Sequence, residues 1–126
     1  MLKVLPIQSK ETQKELCELC DVEYNQNAFA YRADDDGFIG LCQFIFANDN
    51  GYIQSLVYAK NANDWEAMII MLRAAMNFMY RCGLKLCYFQ ENSCPLELLD
   101  KSGFSKNENG QYYIDLVKFY TSSCHH

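Results

Sequence analysis

Residues 56–86, LVYAKNANDWEAMIIMLRAAMNFMYRCGLKL, decide the fold. They read as the end of a strand (Tyr52–Tyr58), a polar loop (Ala59–Asn63), a long apolar helix (Asp64–Cys82) and a second strand (Leu84–Phe89). Spacing carries the helix: Trp65, Met68, Ile69, Leu72, Ala75, Met76 and Met79 recur at i, i+3, i+4 and i+7. Ile70, Met71 and Phe78 make the other flank apolar too, so the helix is expected to be largely covered, its methionines filling irregular gaps. Asn63 reads as a side-chain cap with Glu66 three residues on, and Gly83 ends the helix. Strand, helix and strand in this order form a parallel crossover, which places ligands at the carboxyl ends of its strands. An anion-binding version would carry glycines in the first turn, letting backbone N–H groups close on a phosphate. No glycine lies between Gly51 and Gly83.

Upstream, Leu2–Ile7 reads as a strand, with Pro6 marking an edge or an end. A helix over Ser9–Cys20 follows, capped by Ser9 and carrying an apolar stripe of Leu16, Leu19 and Cys20. Ala28–Arg32, Phe38–Phe46 and Tyr52–Tyr58 read as an antiparallel meander, its turns supplied by Asp34-Asp35-Asp36-Gly37 and Ala47-Asn48-Asp49-Asn50-Gly51. The three aspartates lack the alternating ligand spacing of a calcium loop and read as a solvated turn. Downstream, Pro95–Lys101 is a short helix closed by Gly103, and Ser105–Asn107 and Gln111–Tyr120 are strands flanking the hairpin signal Asn109-Gly110.

A chain of 126 residues, half of them hydrophobic and 14% aromatic, fits one packed domain over 1–126. Net charge is −5, and none of the 11 Lys and Arg residues forms a basic stripe, which argues against nucleic acid. No apolar run approaches the ~20 residues of a membrane span, and the start lacks a signal-peptide pattern, so a cytoplasmic location is expected. The seven cysteines are then expected as reduced thiols. Cys17-Glu18-Leu19-Cys20 and the terminal Cys124-His125-His126 together offer enough sulfur and nitrogen for a tetrahedral zinc site. A single CxxC with acidic neighbours is a weak metal or redox signal, and no metal is expected.

The order β-α-β-β-β-α-β-α-β-β over nearly the whole chain resembles the GNAT superfamily of acyl-CoA-dependent N-acyltransferases. The most specific piece is Asn92, the helix Pro95–Lys101, Gly103-Phe104 and the aromatic strand Tyr112-Tyr113-Ile114-Asp115-Leu116. The resemblance implies an α+β (α/β) domain: a mixed, mostly antiparallel sheet, a V-shaped splay between the fourth and fifth strands, and helices on both faces. It implies that acetyl-CoA, if bound, lays its pantetheine along Leu56, Val57 and Tyr58, with Ala62, Asn63, Ala67 and Asn92 as further cofactor contacts.

The sequence departs from the family where the pyrophosphate would rest. The family's loop runs Arg or Gln, two residues, Gly, one residue, then Gly or Ala. Ala62 replaces the basic residue, Trp65 the first glycine, and only Ala67 fits. Asp64 and Glu66 add two carboxylates to a helix start that already welcomes negative charge. The family's general-acid tyrosine falls on Leu99, which holds no transferable proton, and its glutamate base on Tyr52. Tyr88, Tyr58 and Tyr52 remain as weak catalytic candidates. The chain is also short between its first helix and second strand, where relatives carry a second helix that walls the acceptor site. That side is expected to be open or completed by another subunit, a second copy in a homodimer covering both it and the exposed strand Gln111–Tyr120. Three functions follow as expectations: a weakly catalytic or inactive domain binding a small molecule or protein partner in the strand gap; an active acetyl-CoA-dependent N-acetyltransferase of a small amine; and a thiol or zinc interaction module.

Overall fold

The computed structural model describes residues 1–59, 64–90 and 96–121. Its elements are β1 (Lys3–Pro6), α1 (Lys10–Leu19), β2 (Phe29–Asp34), β3 (Phe38–Ala47), β4 (Asn50–Tyr58), α2 (Trp65–Arg81), β5 (Leu86–Phe89), α3 (Leu96–Lys101), β6 (Ser105–Lys106), β7 (Tyr112–Asp115) and α4 (Leu116–Thr121). The turns follow from local chemistry. Asn48 and Asp49, at φ 52° and 67°, take the two left-handed positions of a two-residue hairpin, and Ala47 pairs with Asn50 across it. Gly37, at φ 132°, ends the aspartate turn, and Asp34 accepts two 2.9 Å hydrogen bonds from Arg32, an ion pair instead of a metal loop.

The sheet runs β1-β2-β3-β4-β5-β7-β6 and is antiparallel except for β4 beside β5. Helix α2 covers one face, where Met68, Met71, Leu72, Met76 and Met79 bury against Phe44, Ile53, Leu56 and Cys87. Leu98 and Leu99 of α3 and Leu116 of α4 join the same cluster. Met79 fills the space that a Cβ on Gly51 would occupy, so the sheet approaches α2 closely there. Helix α1 covers the other face, but only over β2 to β4, through Leu16 and Cys17 on Ala30 and Leu41. Helices thus lie on both faces, and among the described residues no helix is long and apolar enough to cross a membrane.

Four sequence expectations shift. The last strand ends at Asp115, because that carboxylate accepts the Lys118 N–H at 3.1 Å and starts α4, whose Tyr120 stacks on Tyr80 at 4.7 Å. Strand β7 lies between β5 and β6, which pairs with Tyr112 and Tyr113, so the last strand of the sheet is β6 and not Gln111–Tyr120. Helix α1 buries Gln13, Leu16 and Cys17, while Leu19 is 55% exposed, because Gln13 finds hydrogen-bond partners inside. The cap of α2 is Asp64, one residue later than read: its Oδ1 accepts from the Ala67 N–H at 3.1 Å. Asp64→Ala is expected to cost about 1 kcal/mol of stability, read as a lowered urea midpoint with unchanged slope.

Candidate functional site

Strands β4 and β5 pair over four residues only, Asn50↔Leu86 to Ile53↔Phe89, with one further bond from the Gln90 N–H to the Ile53 carbonyl at 2.8 Å. Beyond that point β4 continues to Tyr58 with β3 as its strand partner. The parting coincides with a bulge. Gln43 of β3 faces Ser55, but Phe44 faces Ile53, so Gln54 is an extra residue in β4. The bulge also switches the alternation. Gly51 and Ile53 point toward α2 before it, Leu56 and Tyr58 after it, and Val57 packs toward α1. This is the expected splay, and Leu56, Val57 and Tyr58 lie along it.

A buried polar network holds the α1 side of the bulge. Gln13 and Gln43 are 0% and 1% exposed. The Gln13 amide donates to Gln43 Oε1 at 2.9 Å, and the Gln43 amide donates to the Glu23 carbonyl at 2.9 Å and to Ser55 Oγ at 3.4 Å. Asn25 adds its backbone N–H to Gln43 Oε1 at 3.4 Å and its side-chain amide to Gln54 Oε1 at 2.9 Å. Lys10 Nζ donates to the Ala28 carbonyl at 2.6 Å. These bonds fix residues 20–28 as an ordered irregular segment with no helix, because buried polar groups persist only when paired. That segment, Glu23 to Asn27, joins Gln54, Ser55 and Gln90 around a cleft of about 650 Å³. Among the described residues its lining holds one carboxylate and no lysine or arginine.

Helix α2 starts on the opposite side of the sheet. Its cap is Asp64 and its first turn holds Glu66, and the Ala67 N–H is taken by the Asp64 carboxylate. Lys101 Nζ sits 5.4 Å above the Trp65 ring, a cation–π contact tying α3 to this helix start. Ala62, Asn63 and Asn92, expected as cofactor contacts, lie outside the described residues, as do Cys124, His125 and His126.

Structure searching places these features among known folds. The IAA acetyltransferase from Bacillus cereus ATCC 14579 superposes with a TM-score of 0.72 at 22% identity, over 86% of this chain and 79% of that one. Spermidine/spermine N-acetyltransferase SpeG from Vibrio cholerae superposes with 0.73 at 15%, over 97% and 96%. PaiA N-acetyltransferase from Thermoplasma acidophilum, in complex with coenzyme A, gives 0.66 at 14%, over 90% and 96%. This chain has the GNAT acyltransferase fold. No protein-family model and no curated protein matches it. At these identities the likeness is one of fold.

Within the GNAT fold, the three tyrosine candidates do not converge. Tyr52 and Tyr88 stack at 5.3 Å on the face away from α2, whereas Tyr58 packs toward α2 on the other face. Leu99, at the family's general-acid position, is 2% exposed in the core. Sequence reasoning missed Gln13, Gln43, Gln54, Asn25 and Gln90. Glutamines at core positions of α1 and β3 were the one available signal.

The CxxC is not poised for chemistry. Burial, then the Glu18 carboxylate, pushes the Cys17 thiol up to about 11; burial, then Cys17, does the same to Cys20. Burial raises Cys42 and Cys87 further. No cluster of three metal-ligating side chains occurs among the described residues. Maleimide labelling at pH 8, mapped by mass spectrometry, is expected to modify exposed Cys82 about 100-fold faster than Cys17, Cys42 or Cys87. These thiols hold their protons more tightly folded than unfolded, so stability is full below about pH 8.5 and falls as pH rises toward 11.

Proposed function

We propose that this chain is a GNAT-fold binding domain with little or no acyl-CoA turnover, taking a small polar ligand at the parting of β4 and β5. The occupied start of α2 carries this reading. A diphosphate there would meet two carboxylates, with the Ala67 N–H already bonded to one of them. Helix N-termini attract anions through free N–H groups and the dipole; here one N–H is taken and two carboxylates oppose the dipole, with Lys101 on the Trp65 ring as a nearby cation. The cleft supports the ligand class. Carboxamides donate and accept at once, so Asn25, Gln26, Asn27, Gln54 and Gln90 suit neutral polar groups, and Glu23 adds a preference for cations.

One observation favours a second reading. Among the described residues β4 and β5 pair as far as Ile53 and Phe89 and then part, which suits a pantetheine arm. PaiA, with the same fold, was solved with coenzyme A. An enzyme of this type would transfer an acetyl group to a small amine in the cleft, relying on positioning more than on an acid–base pair. Thiol release from acetyl-CoA over a panel of amines separates the two. The binding-domain reading expects the uncatalysed rate with every amine, and saturable turnover with any of them would replace it by the enzyme reading.

A further inference from the structure

Strand β1 stops at Pro6, which pairs with Tyr31, and the Ile7 N–H makes one last bond to the Ala30 carbonyl at 2.9 Å. The chain then turns away to enter α1 at Lys10. Strand β2 begins at Phe29, so β1 ends short of it and leaves a notch beside that residue. Phe29, Tyr31, Phe44 and Phe78 wall the notch with rings, Ile7 and Lys10 also line it, and its volume is about 370 Å³. Small-molecule sites usually span about 300–1,000 Å³. The rings offer both faces and edges. Tyr31 and Phe44 are nearly parallel at 6.0 Å, and Phe78 stands edge-on to Phe44 at 6.0 Å and to Phe29 at 5.2 Å.

We infer that this notch binds a planar aromatic carboxylate, its rings against the four aromatic side chains and its carboxylate at Lys10. Lys10 selects the charge, being the one charged residue of the lining. Its Nζ donates to the Ala28 carbonyl at 2.6 Å and to Gln13 Oε1 at 3.3 Å, both neutral acceptors, and an ammonium carries a third donor. Among the described residues Lys10 forms no ion pair. A bond from that third N–H to a carboxylate is about twice as strong as one to a neutral acceptor. Burial first, then Cys42, raises the Tyr31 hydroxyl, while Arg81 near it acts the other way, a second cation close to the same walls. The chain carries a net charge of −5, but beyond about 8 Å exposed charges are screened in physiological salt, so the adjacent lysine outweighs them. The walls select flatness. A fused ring presents a face and an edge to side chains that prefer offset-stacked or edge-to-face partners, and a bent alkyl chain presents neither. The notch shares no lining residue with the cleft, and Phe78 lies about 20 Å along α2 from Trp65. It can therefore be filled whatever the cleft takes.

Calorimetric titration of naphthoate, a fused-ring carboxylate, and of neutral naphthylmethanol into the full chain tests this. The acid is expected to bind with a dissociation constant of about 50 µM, and the alcohol about 10-fold more weakly. Lys10→Met should bring the acid to the alcohol's affinity, and Phe29→Ser, at a 43% exposed ring, should weaken both by about 10-fold, each with unchanged circular dichroism. Leu19→Ser, at a 55% exposed residue outside the notch, should change neither affinity. Three results overturn the proposal: no saturable heat up to about 1 mM acid, equal affinities for acid and alcohol, or binding that survives both Lys10→Met and Phe29→Ser. The comparison of acid with alcohol uses the unaltered chain and holds whatever the variants do.

Discussion

Gln43→Leu is expected to lower stability by about 3 kcal/mol, although it places an apolar residue of similar size at a position 1% exposed. The Gln43 side chain donates to the Glu23 carbonyl and Ser55 Oγ and accepts from the Gln13 amide and the Asn25 N–H. Replacing it strands several of these groups away from water, each at a cost of about 1 kcal/mol or more. Gln13 keeps weaker contacts to the Asn25 and Ala28 carbonyls at 3.4 Å, which limits the loss. Thermal unfolding should show a midpoint about 10 °C lower. Hydrogen exchange should also quicken in residues 23–28, because Gln43 is what ties that segment to the sheet. A midpoint within about 2 °C of wild type would mean the network contributes nothing net.

The second large effect is a gain. Asp64→Asn combined with Glu66→Gln is expected to raise affinity for coenzyme A by about 30-fold, roughly 2 kcal/mol. Asparagine caps helices as well as aspartate does, so α2 keeps its start while the repulsion is removed. Each charge within about 6 Å of a phosphate contributes on the order of 1 kcal/mol near a protein surface, and the pair accounts for the figure. The gain should shrink in about 0.5 M salt, as screening between exposed charges requires. Equal affinities for wild type and the double variant would place the obstacle elsewhere, Trp65 being the first candidate.

The layered fold was readable because its signals are periodic. Helix α2 repeats its apolar residues every three to four positions, and Asn48-Asp49 and Gly37 announce their turns. The cleft was not readable, because it depends on one extra residue. Nothing about Gln54 in the sequence marks it as a bulge; that follows from pairing with β3, a partner set by tertiary structure. Gln13 and Gln43 look like surface residues until α1 and β3 meet and satisfy them together. The final segment misled for a related reason. Val117, Phe119 and Tyr120 have strand propensity, and the Asp115 cap with packing on α2 overrode it. At the α2 start, adjacent Asn63 and Asp64 are equally good caps on paper.

Calorimetric titration of acetyl-CoA into the wild-type chain, at low salt, probes the helix start most directly. No saturable heat is expected up to about 1 mM cofactor. A dissociation constant near 10 µM or tighter would mean that the first turn of α2 accepts a diphosphate despite Asp64 and Glu66, and that this is an ordinary cofactor-binding acetyltransferase.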